Sequence, residues 1–530
     1  MKKYILVLII LSAIALWPFF KNGYFESHDG EWMVIRFSAF HQTLAAGQFP
    51  VRFVDRLNNN YGYPVMNFLY PLPFYLAEIP KILGLGYVDS VKTVFILSTV
   101  FSTLAMFWAM LTLVSPIASL TASVLYLFVP YRFLDLYVRG SFGESVAFLF
   151  VPLVAGSIFK IAKGDKFYLW PLAVFVALLA LSHNVIAALF VLFFLIMSYL
   201  VAKKEILAIV KSFLLGIAAS AFFTVPAIYD LKFVKASQIK VSEIGNHLAG
   251  FDRLVVPSWG FGPDPTGPNG LSPQLGLVTI TVLLSAAYLF FTKKLKGRVV
   301  VYFLAVAALI TFLMTGASSP IWQNLPKIDI IQFPWRALSL IVFISAATAA
   351  LVVDSSKKKF HLAAILTVGA ILSTIFYTKP ANFVQRDEGF YATNEDTTTA
   401  RDEYLPLWVG KKPEVRASEK LILMGQGKII SQNIKSANYQ AQIQAQQDIN
   451  VLANTIYFPG WQVKIDGKST PIDYQNKYGQ ISFLLPQGTH DVIIKYTKSN
   501  LHLASEIISA LAAVLIAFHL TKSWLKRNFS

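Results

Sequence analysis

The chain alternates long apolar blocks with short polar ones. Crossing a bilayer takes roughly 20 mostly apolar residues. Blocks of that kind fall at 91–113, 144–162, 185–202, 206–229, 272–292, 299–316, 335–353, 360–378 and 502–523, with shorter ones at 116–131 and 167–183. The first block, Tyr4 to Phe20 behind Lys2 and Lys3, has the layout of a signal peptide. Bulky Pro18-Phe19-Phe20-Lys21 stands where a small-residue cleavage site belongs, so the block reads as a retained span. The expectation is then about twelve transmembrane helices. A thirteenth candidate, 65–84, carries Pro71, Pro73 and Pro80, which break helices, and the charges Glu78 and Lys81. It is expected to dip into the membrane or lie along it.

Between the spans the period changes. Met33, Phe37, Phe40 and Leu44 share one face at helical spacing, and Gly47 and Pro50 close the pattern. This predicts an amphipathic helix over 31–46, lying in the membrane interface. Segments 437–444, 450–457, 462–465, 480–485 and 491–496 alternate with period two, and Asp466-Gly467 is a hairpin turn signal. The fold class is therefore a polytopic α-helical membrane protein with a mainly β unit before its last span. Its parts are a multi-span region 1–378, the β-rich domain 379–500, and a final helix with a basic tail at 501–530.

Composition agrees. Of 530 residues, 55% are hydrophobic and only 14% charged, against about 25% charged in an average soluble protein. A soluble globular enzyme, a disordered chain and a collagen-like chain are excluded. The absence of Cys excludes disulfides, zinc–thiolate sites and thiol nucleophiles. A net charge of +17 would suggest nucleic acid in a soluble protein. Here eighteen basic residues sit in the loops 160–166, 203–211, 293–298 and 357–359 and at the two ends, against the acids Asp165, Glu205 and the neighbouring Asp354. That excess is an orientation signal, which places both termini in the cytoplasm and leaves no call for nucleic acid. The long polar segments 21–90, 131–143, 230–271, 317–334 and 379–500 then share the outer face.

Candidate chemistry gathers on that face. Glu26, His28, Asp29 and Glu31 follow the first span. Asp29 is placed to cap the helix that follows, and equally to act as a base. Asn60, Tyr61 and Tyr63 offer the amides and phenols that suit sugar hydroxyls and sugar faces, or form an interfacial aromatic belt. Arg132, Asp135, Arg139 and Glu144 lie at a membrane edge. Arg139 and Glu144 either pair structurally or leave the Arg to hold a phosphate. His183 sits in a tight turn, and Trp335-Arg336 opens another span where a lipid phosphate would lie. There is no P-loop, nucleophile elbow, metalloprotease motif or Rossmann glycine pattern.

At these residues the chain resembles the GT-C superfamily of polytopic glycosyltransferases. More narrowly, it is similar to bacterial membrane proteins with the pterin-synthase-related membrane domain and to YfhO-like proteins. The matching pieces are His28-Asp29-Gly30, Asn60-Tyr61-Gly62-Tyr63-Pro64, Arg139-Gly140 with Glu144, Leu181-Ser182-His183-Asn184 and Gln332-Phe333-Pro334-Trp335-Arg336. Glu403-Tyr404-Leu405-Pro406 and Tyr457-Phe458-Pro459-Gly460-Trp461 match in the β-rich domain. The resemblance implies an inverting enzyme of the cell membrane that moves a sugar from a polyprenyl-phosphate-linked donor to a glycan or protein acceptor. Asp29 would be its catalytic base. Arg139 and Arg336 would meet the phosphate. Glu26, His28, Asn60, Tyr61, Tyr63, His183 and Trp335 would line the substrate site. Some members use Mg or Mn held by several acids; here Asp29 and its neighbours are the acids available. The alternatives from other classes are a lipid-linked glycan transporter or flippase without a base, and an envelope scaffold.

Overall fold

A computed structural model describes residues 1–239, 243–267, 269–324 and 331–529. The expected polar loops 230–271 and 317–334 thus lie partly outside the described residues. Among the described residues six helices are long and apolar enough to cross a membrane: Tyr87–Leu111, Phe142–Ala162, Asn184–Val201, Pro334–Ser355, Lys359–Tyr377 and Asn500–Asn528. Two further apolar blocks are broken. Pro116–Leu127 meets Pro130–Arg139 at 46°, and Lys203–Ala219 meets Ala221–Phe233 at 71°. Counting each bent pair as one span gives up to eight by length and composition among the described residues, which leaves the expected twelve unconfirmed. The remaining blocks fold as shorter helices: Lys2–Ala15, Lys166–Ser182, Leu277–Phe291 and Arg298–Leu313. Hydropathy counts an apolar block whether or not its helix is interrupted, and Pro130 restarts the helix at the first of these breaks.

Segment 65–84 forms a short turn and the helix Leu72–Ile82 of 11 residues. At 1.5 Å per residue such a helix reaches roughly 16 Å, about half the hydrocarbon core. The amphipathic helix is Gly30–Ala45. Its Met33, Phe37 and Phe40 are buried against protein, with Phe40 stacked on Phe74 at 5.6 Å. Periodicity marks an apolar partner for this face, and the partner observed is protein.

Two antiparallel sheets make up the β unit. One has five strands in the order Gly427–Lys435, Asn438–Ala445, Gly488–Tyr496, Trp461–Ile465, Lys468–Thr470. The other has three, in the order Leu421–Met424, Ile449–Ile456, Gln480–Leu485. Tyr439, Ile443, Val451, Trp461, Val463, Phe483 and Ile494 pack between them. The first long loop completes this core: Phe53 meets Trp461 edge-on at 5.2 Å, and Phe68 joins the same cluster. A second tie pairs Tyr24–Phe25 with Phe383–Val384. A third docks the last helix. Asp230 accepts from Asn67 Nδ2 at 2.7 Å and lies 3.1 Å from His502 Nε2, while Arg52 donates to Asn67 at 3.1 Å.

Candidate active site

The helical segment Leu134–Arg139 is wound as a π-helix and stops at Gly140, whose φ is +62°. The turn brings its last carbonyls to the first loop. His28 N donates to Val138 at 2.9 Å and Asp29 N donates to Arg139 at 2.8 Å. A Cβ on residue 140 would lie 2.5 Å from Ser27 Oγ and 2.7 Å from Gly30 N. Glycine is therefore required twice over, by the left-handed backbone and by the close approach.

Asp29 holds the N-cap position of Gly30–Ala45, yet its side chain makes no capping bond. Ser27 Oγ takes the Gly30 N–H instead, at 3.1 Å. The half-buried Asp29 carboxylate accepts no hydrogen bond from the described residues and stands within electrostatic reach of Tyr70, Arg336 and Glu403.

Behind it lies a buried charge cluster centred on Glu144, in the first turn of Phe142–Ala162. Glu144 accepts from Arg139 at 2.5 Å and from the Tyr131 hydroxyl at 2.9 Å. Arg336 Nε is 3.6 Å away and His183 Nε2 3.8 Å. Arg139 also bonds Asp135 at 2.7 Å, and the Trp335 ring lies 4.6 Å from its guanidinium. His183 stacks on Tyr70 at 4.9 Å, and its Nδ1 accepts from Ile186 N, which turns Nε2 toward Glu144. Arg336 donates to Gln332 Oε1 at 2.7 Å. Five sequence candidates, Asp29, Arg139, His183, Trp335 and Arg336, thus converge, and Arg139 is taken up by its two carboxylates.

The others are placed elsewhere. Glu26 is exposed and tethers Asn382 at 2.7 Å. His28 sits in the site's loop but turns its ring to the Phe261 carbonyl at 2.9 Å. Asn60 and Tyr61 lie in the seam with the β unit, where their carbonyls accept from Lys420 Nζ at 2.6 Å and Ile456 N at 2.7 Å. Tyr63 is buried, and its hydroxyl bonds Thr399 at 2.6 Å and accepts from Tyr404 N at 3.0 Å. It thereby supports the segment that carries Glu403.

Glu403 was not among the sequence candidates. Burial pushes its carboxyl up to about 7; Asp29 adds to that rise, while Arg36 and Arg336 oppose it. Its one sequence signal is the Glu403-Tyr404-Leu405-Pro406 run. Arg36 is held by Thr398, through Oγ1 at 2.8 Å and the carbonyl. Among the described residues no group of three or more His, Asp and Glu side chains converges closely enough to hold a metal ion.

No family model matches the chain, so the YfhO-like assignment gains no support. An uncharacterized protein of Lactococcus lactis subsp. cremoris is 25% identical over 245 residues, which is 43% of this chain and 40% of that one. Arabinofuranosyltransferase AftD from Mycobacteria superposes with a TM-score of 0.44 and 14% identity, over 71% of this chain and 26% of that one. The Archaeoglobus fulgidus oligosaccharyltransferase superposes with a TM-score of 0.43 and 12% identity, over 77% of this chain and 62% of that one. The chain spans less than two thirds of each of these proteins. At this level of likeness the functional reading has to come from the site's own residues.

Proposed function

We propose that the protein is a membrane glycosyltransferase that moves a sugar from a polyprenyl-phosphate-linked donor to an acceptor hydroxyl on the outer face. The observation that carries this reading is Asp29: a carboxylate at a helix start that leaves its capping duty to Ser27 and stays unbonded beside a buried arginine cluster. The asymmetry of basic loops supports putting this face outside.

Asp29 takes the proton of the acceptor hydroxyl as its oxygen bonds to the sugar's anomeric carbon. The bond from that carbon to the phosphate oxygen breaks, and the electron pair leaves with the polyprenyl phosphate. A base so placed contributes about 10²–10⁴-fold. Arg336 meets the departing charge, because Arg139 is held by Asp135 and Glu144. Arg139 serves instead to fix Trp335 and Glu144 beneath it. The polyprenyl chain has an apolar groove of about 810 Å³ between Leu277–Phe291 and Arg298–Leu313, with Ala249 and Gly250 at its rim. That rim leads back to the site, since the His247 ring meets Phe333 at 4.6 Å and Arg336 lies over Phe333 at 4.8 Å.

The test is release of polyprenyl phosphate from a labelled lipid-linked sugar by the purified chain. Asp29→Asn is expected to lose at least about 100-fold in turnover while unfolding at the wild-type temperature. Full turnover in Asp29→Asn removes Asp29 as base. A wild type that moves labelled lipid across vesicles without cleaving it points to a flippase.

A further inference from the structure

Asn60 does not face Asp29; it opens onto a cavity of its own. About 630 Å³ lies between Gly30–Ala45, the turn at 55–60, the segment 418–420 and the edge strand Gly427–Lys435. Three of the five charged residues in its walls are already engaged. Asp55 accepts from Ala437 N at 2.8 Å and the Tyr439 hydroxyl at 2.7 Å. Lys420 donates to the Asn60 carbonyl at 2.6 Å. Arg56 donates to Ser38 Oγ at 2.7 Å and to Gln42 Oε1 at 3.1 Å.

What remains are the side-chain amides of Asn60 and Gln432 and the hydroxyls of Ser418 and Ser436, none of them bonded to another described side chain. Glu419 and Lys435 share the lining with opposite charges, so the free groups sum to neutral. Ile429 and Ile434 supply apolar wall. The volume falls in the range of about 300–1,000 Å³ for small-molecule sites. Each amide offers an acceptor and two donors, the pairing that neighbouring hydroxyls of a polyol require. A left-handed turn, with φ of +60°, +55° and +65° at Asn58, Asn59 and Asn60, presents that amide.

We propose that this cavity is a second binding site, that its ligand is a neutral oligosaccharide, and that Asn60 and Gln432 are its principal hydrogen-bonding residues. The role assigned to it, holding the acceptor glycan away from the reacting hydroxyl, rests on the transferase reading above; the binding itself does not.

The experiment is calorimetric titration of the full chain in detergent with maltotriose, mannotriose and triacetylchitotriose, and with trigalacturonic acid as an anionic probe. At least one neutral trisaccharide is expected to bind and the anionic one is not. Asn60→Ala and Gln432→Ala should each weaken binding by about tenfold or more, a loss of roughly 1.4 kcal/mol. Gln432 is exposed on an edge strand, so its variant reports even where Asn60→Ala fails to fold. Asp29→Asn should bind as wild type does. Binding of none of the neutral sugars, equal binding of the anion, or indifference to Gln432→Ala overturns the proposal. Sugar binding in a chain that never cleaves donor leaves the cavity standing and removes the transferase; turnover without sugar binding does the reverse.

Discussion

Glu403 couples the site to pH. In the unfolded chain its carboxyl titrates near 4.5, and in the folded chain near 7. Between those values the folded chain holds a proton that the unfolded chain has lost, so stability falls as pH rises through the window. Glu403→Gln keeps the side chain neutral throughout. It is expected to match wild type in thermal unfolding at pH 5 and to exceed it at pH 8, by at most about 3 kcal/mol. A gain equal at both pH values would mean that packing, not ionisation, is responsible. Glu144 acts through its partners. Glu144→Ala strips Arg139 of one of its two carboxylates and orphans the Tyr131 hydroxyl inside the protein. A cost of about 3–5 kcal/mol is expected, read as lost folded yield and a lowered unfolding temperature. The contrast with Asp29→Asn, which should spare folding, separates chemistry from support.

Among the elements, the left-handed stop at Gly140 sets the position of the loop that bears Asp29. Gly140→Ala places a Cβ against Ser27 and Gly30 and also strains the backbone. Turnover should fall by more than stability does; kinetics and thermal unfolding on the same preparation decide it. This element was not legible in the chain, because a π-turn has no hydropathy signature. Strands that bury one face were legible: Asn438–Ala445 turns Tyr439, Ala441, Ile443 and Ala445 inward. Its neighbour Gly427–Lys435 is almost wholly exposed, so it shows no alternation. Asp29, Arg139, His183 and Arg336 were found because each stands beside an apolar block. Glu403 was not, because what buries it comes from distant segments, Arg36 and Asp29 among them.

For the molecule as a whole, the open question of orientation reduces to two points. Reporter fusions at Gly86 and Lys163 should report opposite sides of the membrane, since one helix, Tyr87–Leu111, the bent pair from Pro116 to Arg139 and a third, Phe142–Ala162, separate them. The same side for both would mean that the bent pair crosses nothing.

The small ribbon that ties the first loop to residues 383–384 also has a bearing on time. Glu26 N donates to Asn382, a residue made 356 positions later. At about 5–20 residues per second, a ribosome needs on the order of 20–70 s to supply it. Through that interval the first loop is already made but lacks the partner that fixes its register. Nascent chains halted before residue 378 should therefore insert their spans and hold Asp29 by its bond to Arg139 alone, without the ribbon at Tyr24–Phe25 and without Glu403. The candidate site is among the last things its synthesis completes.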